Sequence, residues 1–321
     1  MTEHVIIDGD LLAYRSAAAN EKRSIVATHI ATGKSREFDT RTELKKSLIA
    51  KGKPYNPLDF VIEDVQTPSE ASYAKYAVKN TINKICKACG TQNYHIVMSG
   101  DTNFRLDLPL PSRYKSNRDD LQRPLQLAEI RHYLLQQLGA ELSVGEEADD
   151  VLCQYAYTGY KEKRKIVQAT IDKDADSNSG WLYNWNTMLE PTYISGLGGL
   201  YETGNKVAGT GRKWFYFQSL YGDRSDFYRP TELCDIKFGE RSVFKLLDPL
   251  QTDKECWQAI CDTYKEWYPE PVTYKAWDGA EHTKDYLELL QMYVDCCHMR
   301  RWKDDRLIVT DILNKLEVAY G

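Results

Sequence analysis

The sequence predicts an α/β fold, with a mainly parallel central sheet flanked by helices and a helical C-terminal region. Two observations predict it. Three runs, in HVIIDGD (Val5 to Asp8), YHIVMSGD (His95 to Asp101) and KIVQATIDKD (Ile166 to Asp172), are short, apolar or β-branched, and closed by an aspartate. Unbroken apolar strands of this length suit sheets covered on both faces, as parallel sheets are. Segments with helical periodicity lie between the runs, and strands alternating with helices imply crossovers and parallel pairing.

Taken in order, the first run is followed by SIVATHIATGKSREFDT, expected to be an inserted hairpin turning at Thr32–Gly33. DFVIEDV, around Phe60 to Val65, is a candidate fourth strand. In TPSEASYAKYAVKNTINKICKACG, Thr67, Pro68 and Glu70 read as a capping box with proline in the first turn. Ala74, Val78, Ile82 and Ile85 share one helical face there, and Gly90 is the stop. PLQLAEIRHYLLQQLGA repeats the pattern with Leu127, Ile130, Leu134 and Leu138 before Gly139. Past residue 187 the composition turns to Gly, Tyr and Trp and then to less regular helices. The expected division is therefore 1–186, an α/β core, and 187–321, a Gly-rich hairpin and helical region, with a soft boundary because acidic motifs straddle it.

Composition narrows the class of function. The 321 residues carry a net charge of −5, which excludes coating nucleic acid by bulk charge but leaves room for a local basic track. No apolar run reaches the roughly 20 residues of a membrane span. A strand begins within four residues of the start, so no signal peptide is expected. The eight cysteines do not form a disulfide framework and are expected to be reduced thiols of a cytoplasmic protein. Cys86 and Cys89 make a CxxC with no second pair or His at zinc spacing, and Cys296–Cys297 lies far along the chain.

The chemistry concentrates in acids at element ends. IDKDADSNSG has Asp172, Asp174 and Asp176 at the first three ligand positions of an EF-hand, but Ser177 and Tyr183 replace the required Gly and closing Glu. In GEEADDV, Glu147, Asp149 and Asp150 stand where a helix begins, facing the positive end of its dipole. YGDRSDFY adds Asp223 and Asp226. With Asp8, Asp101, Asp172 and Asp174, these make nine carboxylates, most of them at strand ends, where open α/β sheets bind ligands. Converging carboxylates repel and take up protons unless cations neutralise them. All-oxygen ligands select hard ions, so the expected cofactor is Mg2+, with Mn2+ as substitute, and two ions roughly 4 Å apart suit in-line phosphodiester displacement.

A phosphate substrate also needs positive charge. From Asn103 to Arg118 there are four basic residues against one acidic, and the segment leaves directly from Asp101. Arg105, Arg113, Lys115, Arg118 and Arg123, interleaved with Phe104 and Tyr114, suit nucleic acid, phosphates pairing while bases stack. GLGGLY fails the dinucleotide fingerprint at Tyr201, and GLYETGNK fails as a phosphate loop because Asn205 precedes Lys206; a Gly-rich hairpin explains both, and no nucleotide cofactor is expected.

Five motifs in order, IIDGD, SGDTNFR…RYKSNR, GEEADDV, TIDKD and GDRSD, resemble those of the metal-dependent 5′-nucleases of the flap endonuclease superfamily, the bacteriophage 5′→3′ exonucleases being most alike. They span Ile6 to Asp226. The resemblance implies a PIN-like core with a basic helical arch at about 103–123. It implies a first metal group of Asp8, Asp101, Glu147 and Asp149 with Asp150 adjoining, and a second of Asp172, Asp174, Asp223 and Asp226. Lys115 and Arg118 would act on the scissile phosphate, and Tyr114 would stack on a base. The implied activity is 5′→3′ hydrolysis of double-stranded DNA by a monomer, with flaps and the RNA of RNA/DNA hybrids as further substrates. The sequence departs from many relatives at Phe227, where they have Asn before a Gly-rich helical hairpin that grips duplex through a monovalent cation; here only IKFGER stands nearby. HMRRWKDDR near the C-terminus is another basic segment for duplex contact, with a solvated helix face as the competing reading. The competing readings are a structure-specific flap endonuclease, a PIN-type ribonuclease, against which length and the basic segment count, and a non-catalytic DNA-binding protein with structural metal.

Overall fold

The computed structural model describes residues 2–320. In chain order the regular elements are β1 His4–Asp8, α1 Gly9–Ala18, β2 Glu21–His29, β3 Ser35–Phe38, α2 Arg41–Ala50, β4 Phe60–Pro68, α3 Ala71–Cys89, β5 Tyr94–Met98, α4 Leu127–Leu138, β6 Glu141–Leu142, α5 Ala148–Glu162 and β7 Ile166–Ala169. They continue with β8 Gly180–Tyr183, β9 Thr192–Ile194, β10 Gly199–Thr203, β11 Lys206–Thr210, α6 Arg212–Tyr221, α7 Glu240–Leu247, α8 Asp253–Trp267, β12 Val272–Lys275, β13 Glu281–Lys284, α9 Tyr286–Cys297 and α10 Val309–Lys315.

The chain divides into two compact units. The first takes residues up to Leu11, Ile82–Leu121, and everything from Leu138 on, so it draws on both sides of residue 187. Its sheet has the order β6-β5-β1-β7-β8-β9. All neighbours are parallel except the β8–β9 edge pair. The three aspartate-ended runs are its central strands, and Val5, Ile6, Ile7, Ile96, Val97 and Val167 are fully shielded from solvent. The C-terminal region builds its own core, in which Trp214, Phe217, Trp257, Tyr264 and Tyr293 pack together with residues of α7 and α10. The predicted Gly-rich hairpin is β10–β11, which turns at Gly204–Asn205 between paired Thr203 and Lys206.

The second unit comprises Leu12–Thr81 and Gln122–Gln137. It holds the three-stranded antiparallel sheet β3-β2-β4. Its core is Ile25, Ala27, Phe38 and Leu44, with Leu48 and Phe60 packed on them. The hairpin at Gly33 forms as expected. The strand around Phe60–Val65, however, belongs to this sheet and not to the parallel one: it pairs antiparallel with β2, and none of its residues is fully buried, as residues of a strand covered on both faces would be.

Ala74, Val78, Ile82 and Ile85 are buried along α3, as predicted. Its start is displaced: Thr67 and Pro68 are still strand, Thr67 pairing with Lys22, and the helix begins at Ala71. The 103–123 segment is not a continuous helix but two single 3-10 turns, Phe104–Asp107 and Ser116–Arg118, because Pro109 and Pro111 lie between them. All eight cysteines are free thiols and all but Cys234 are buried. No helix among the described residues is long and apolar enough to cross a membrane.

Candidate metal and nucleic-acid site

Strand β1 delivers Asp8 and the chain turns at once into α1. A side chain at Gly9 would put its Cβ 2.9 Å from the Val97 carbonyl oxygen and 2.4 Å from Met98 Cγ, so the turn requires glycine. Asp8 is buried there. Its Oδ1 accepts the Leu11 N–H at 3.0 Å, and its Oδ2 accepts the hydroxyl of Thr170, just beyond β7, at 2.7 Å. Two residues on, Asp172 Oδ1 caps the following turn through the Asp174 N–H at 2.9 Å. Helix α5 opens at Glu147, whose N–H donates to Asp150 Oδ2 at 3.0 Å, and presents half-buried Asp149 from its first turn.

These acids feel one another. Burial, with the charges of Asp10 and Asp172 adding, pushes Asp8 up to about 7. Burial, then Asp8, Asp172 and Glu147, holds Asp149 far above the usual carboxylate range against the pull of Lys115. Asp174 rises to about 7, chiefly from burial and then from Asp172, although Lys173 opposes it. Three segments remote in sequence thus bring acids into one field at the ends of adjoining strands.

Asp150, the next residue after Asp149, belongs to a different construction. Its Oδ2 accepts from Arg105 Nη1 at 2.7 Å, and its Oδ1 accepts from Arg105 Nη2 at 2.9 Å and from the Arg300 N–H at 3.0 Å. Arg105 is fully buried and also donates to the carbonyls of Cys296 (2.9 Å) and His298 (2.8 Å) at the end of α9. Despite burial, the guanidinium keeps Asp150 below the usual carboxylate range.

The basic segment lies on the second acidic motif. The Lys115 N–H donates to the Asp226 carbonyl at 2.9 Å, Asn117 Nδ2 to the Arg224 carbonyl at 3.1 Å, and Arg118 Nε to the Ser225 carbonyl at 3.1 Å. Arg118 Nη2 reaches Asp226 Oδ1 at 2.7 Å; Lys115 Nζ binds Glu147 Oε1 at 2.5 Å and stands 3.6 Å from Asp226. Lys173 bridges Asp174, at 3.0 Å, and Asp223. Lys115 makes its contacts with φ 59°, in the left-handed region.

Asp8, Glu147, Asp149, Asp172, Asp174, Asp223 and Asp226 are thus linked by shared charges or shared cations. Asp101 is exposed on the loop leaving β5 and is not among the main charges bearing on Asp8 or Asp149. Three expectations are corrected. Asp150 has both oxygens taken by Arg105 and backbone donors, so it is not disposed to hold a metal. Arg105, with no exposed surface, cannot meet a phosphate. Tyr114 is buried, its hydroxyl donating to Asp226 Oδ2 at 2.5 Å, so it cannot stack on a base. Arg113 is partly exposed and paired with Asp119; Arg123 is exposed and falls in the second unit. HMRRWKDDR is a turn and not a helix, with Arg301 gripping Asp305 through two nitrogens.

Sequence reasoning missed Asp10, whose Oδ2 accepts the Ser99 N–H at 2.8 Å while its charge bears on Asp8. The GD of IIDGD was the signal. It also missed Lys173 as a partner of two acids and Asp176, which burial pushes up to about 6 with Asp172 adding.

Among the described residues no three His, Cys, Asp or Glu side chains close up as tightly as a metal's donors do. The donor chemistry of Asp8, Asp149 and Asp172 nevertheless suits a hard divalent cation: oxygen only, with Asp8 and Asp149 raised by burial and by neighbouring carboxylates, the state a bound cation relieves.

No protein-family profile matches the sequence, and no curated protein matches it. Solved structures do match. A bacteriophage T5 flap endonuclease in a pseudo-enzyme–product complex with DNA and metal ions aligns with TM-score 0.50 and 15% identity, over 98% of this chain and 99% of that one. A T5 protein co-crystallised with metal ions gives 0.48 and 16%, over 98% and 96%. T5 5′-exonuclease with bound zinc gives 0.44 and 15%, over 98% of each chain. At these identities the first likeness shows a shared fold: the chain has the mixed α/β architecture of that flap endonuclease.

Proposed function

We propose that this chain is a divalent-metal-dependent 5′-nuclease of the flap endonuclease superfamily that hydrolyses phosphodiester bonds of double-stranded DNA from 5′ ends. The observation that carries the reading is the meeting of Asp8, Asp149 and Asp172, from three distant segments, in one electrostatic field beside a docked Lys115–Arg118 segment. The shared fold with a flap endonuclease described with DNA and metal ions supports it.

Asp8, Asp149 and Asp172 would hold Mg2+, or Mn2+ in its place, with Glu147 at the margin. The ion supplies charge for the phosphate oxygens and acidity for the attacking water. The chain's own groups do the rest. Lys115 and Arg118 exchange Glu147 and Asp226 for the scissile phosphate, holding it at the strand ends and stabilising its charge in the transition state. Thr170 and the Leu11 N–H fix the Asp8 carboxylate. Arg113 would add positive charge for a flanking phosphate.

The test is a 5′-labelled duplex incubated with Mg2+, with Mn2+ and with chelator. Label release with either ion and none in chelator is expected; release in chelator overturns the proposal. A flap-cutting preference is the second reading, favoured by the flap endonuclease that shares the fold. Product length on a flapped substrate beside a plain duplex separates them, mononucleotides marking the exonuclease.

A further inference from the structure

The acids fall into a group without internal cations and a group that has them. Around Asp8, Asp149 and Asp172 the other acids only add repulsion, and Lys115, which binds Glu147, is the cation that pulls on Asp149. Around Asp174, Asp223 and Asp226 the chain supplies cations of its own. Lys173 Nζ bridges Asp174 Oδ1 and Asp223 Oδ2, with the ring of Trp214 5.9 Å away. Arg118 pairs with Asp226 Oδ1.

Other oxygens of the second group are also engaged. Asp223 Oδ1 accepts the Ser225 N–H at 2.7 Å and the Ser225 hydroxyl at 2.5 Å. Asp226 Oδ2 accepts Tyr114. Gln218 Nε2 donates to Asp174 Oδ1 at 2.6 Å, the oxygen that Lys173 also uses. A divalent ion bridging the oxygens that Lys173 uses would have to displace its ammonium and compete with Gln218 for Asp174 Oδ1.

We propose that the Lys173 ammonium takes the place of a second divalent cation, bridging Asp174 and Asp223 so that the protein holds one ion in the Asp8–Asp149–Asp172 group. This rests on the metal-dependent reading above and departs from the two-ion arrangement that paired acidic groups ordinarily serve. Lys173 is set for the role by sequence: it sits between Asp172 and Asp174 in the 3-10 turn after β7, so one short loop carries an acid for each group and the cation for the second.

The test counts Mn2+ bound per chain by titration calorimetry and electron paramagnetic resonance, on full-length protein without DNA. Lys173→Ala binds one Mn2+ more than the parent protein at the same free concentration, and Lys173→Arg keeps the parent's count. Adding Asp149→Asn lowers the count by one in either background. Should Lys173→Ala lose its far-ultraviolet dichroism, Lys173→Met, which keeps an aliphatic stem near Trp214, carries the same comparison. Equal counts for the parent and the uncharged variants overturn the proposal. The count needs no cleavage, so a protein that fails to cut DNA overturns the nuclease reading while leaving this difference to be decided separately.

Discussion

Asp149 and Asp150 are neighbours in the first turn of α5 and live in opposite worlds. On one side, Asp149 meets carboxylates from β1 and from the loop after β7, and its proton affinity rises. On the other, Asp150 meets a buried guanidinium and its proton affinity falls. Both sit at the positive end of the same helix, so the dipole does not distinguish them. The partners do. An acid whose neighbours repel it is poised to take a cation from outside; one matched inside the protein is part of the frame.

The comparison breaks most sharply in activity. Asp149→Asn is expected to lower duplex cleavage about 10³-fold or more, since losing several kcal/mol of charge stabilisation multiplies through the barrier at tenfold per 1.36 kcal/mol. DNA binding should survive within a few-fold. The same change should raise the melting temperature in chelator, because a neutral amide avoids the cost of either ionising or protonating a buried, repelled carboxyl. Thermal melts beside cleavage rates check both; equal losses of stability and activity would place Asp149 with the frame.

Asp150 should act in the other direction. Asp150→Asn leaves Arg105 buried without its partner charge, and removing one member of a buried pair costs about 3–5 kcal/mol. Chemical denaturation reads the loss directly. The double change Arg105→Met with Asp150→Leu should recover much of it, because neither charge is then stranded.

A smaller effect follows from pH. Asp8 and Asp174, raised to about 7, and Asp176, raised to about 6, hold protons in the folded protein that the unfolded chain has released above pH 4 or so. The folded state binds more protons across that window, so stability in chelator falls as pH rises from about 5 to 8. Asp150 and Asp223 are shifted the opposite way, and their contribution is lost only below the ordinary carboxylate range. Adding Mg2+ should flatten the slope by binding the ionised acids of the first group. Melting temperatures across pH, with and without the ion, check it; a slope indifferent to Mg2+ removes the cation from the account.

The smallest effect separates two arginines that look alike in sequence. Arg113→Ala should leave the melting temperature unchanged while weakening DNA binding less than about tenfold and reducing the salt slope by about one. Arg105→Ala should do the reverse, losing stability. Affinity measured at several salt concentrations distinguishes them.

That pair also marks what the sequence could and could not reveal. Strand ends were legible because a continuous apolar run stopped by Asp has few structural solutions, and the Asp8 and Asp172 positions follow from it; Asp149 was legible from the acidic helix start in GEEADDV. Arg105 was not. It sits in a basic run, and its burial depends on carbonyls 191 and 193 residues away at the end of α9, which no local pattern encodes. Tyr114 was misread for the same reason, its partner Asp226 being 112 residues on. The assignment of Phe60–Val65 to the wrong sheet was avoidable: Glu63 and Asp64 interrupt its apolar run, while the central strands carry no acid before their ends.

The buried thiols have a consequence for how this protein can be watched. Burial pushes Cys256 up to about 11 and Cys261 to about 12, so the reactive thiolate is scarce in the folded state and solvent reagents cannot approach. Half-buried Cys234 should react first with a maleimide, and the other seven at the rate at which their surroundings open. Because Cys296 and Cys297 end the helix whose last carbonyls Arg105 grips, their alkylation rate is a native stopwatch for release of the frame beneath Asp149.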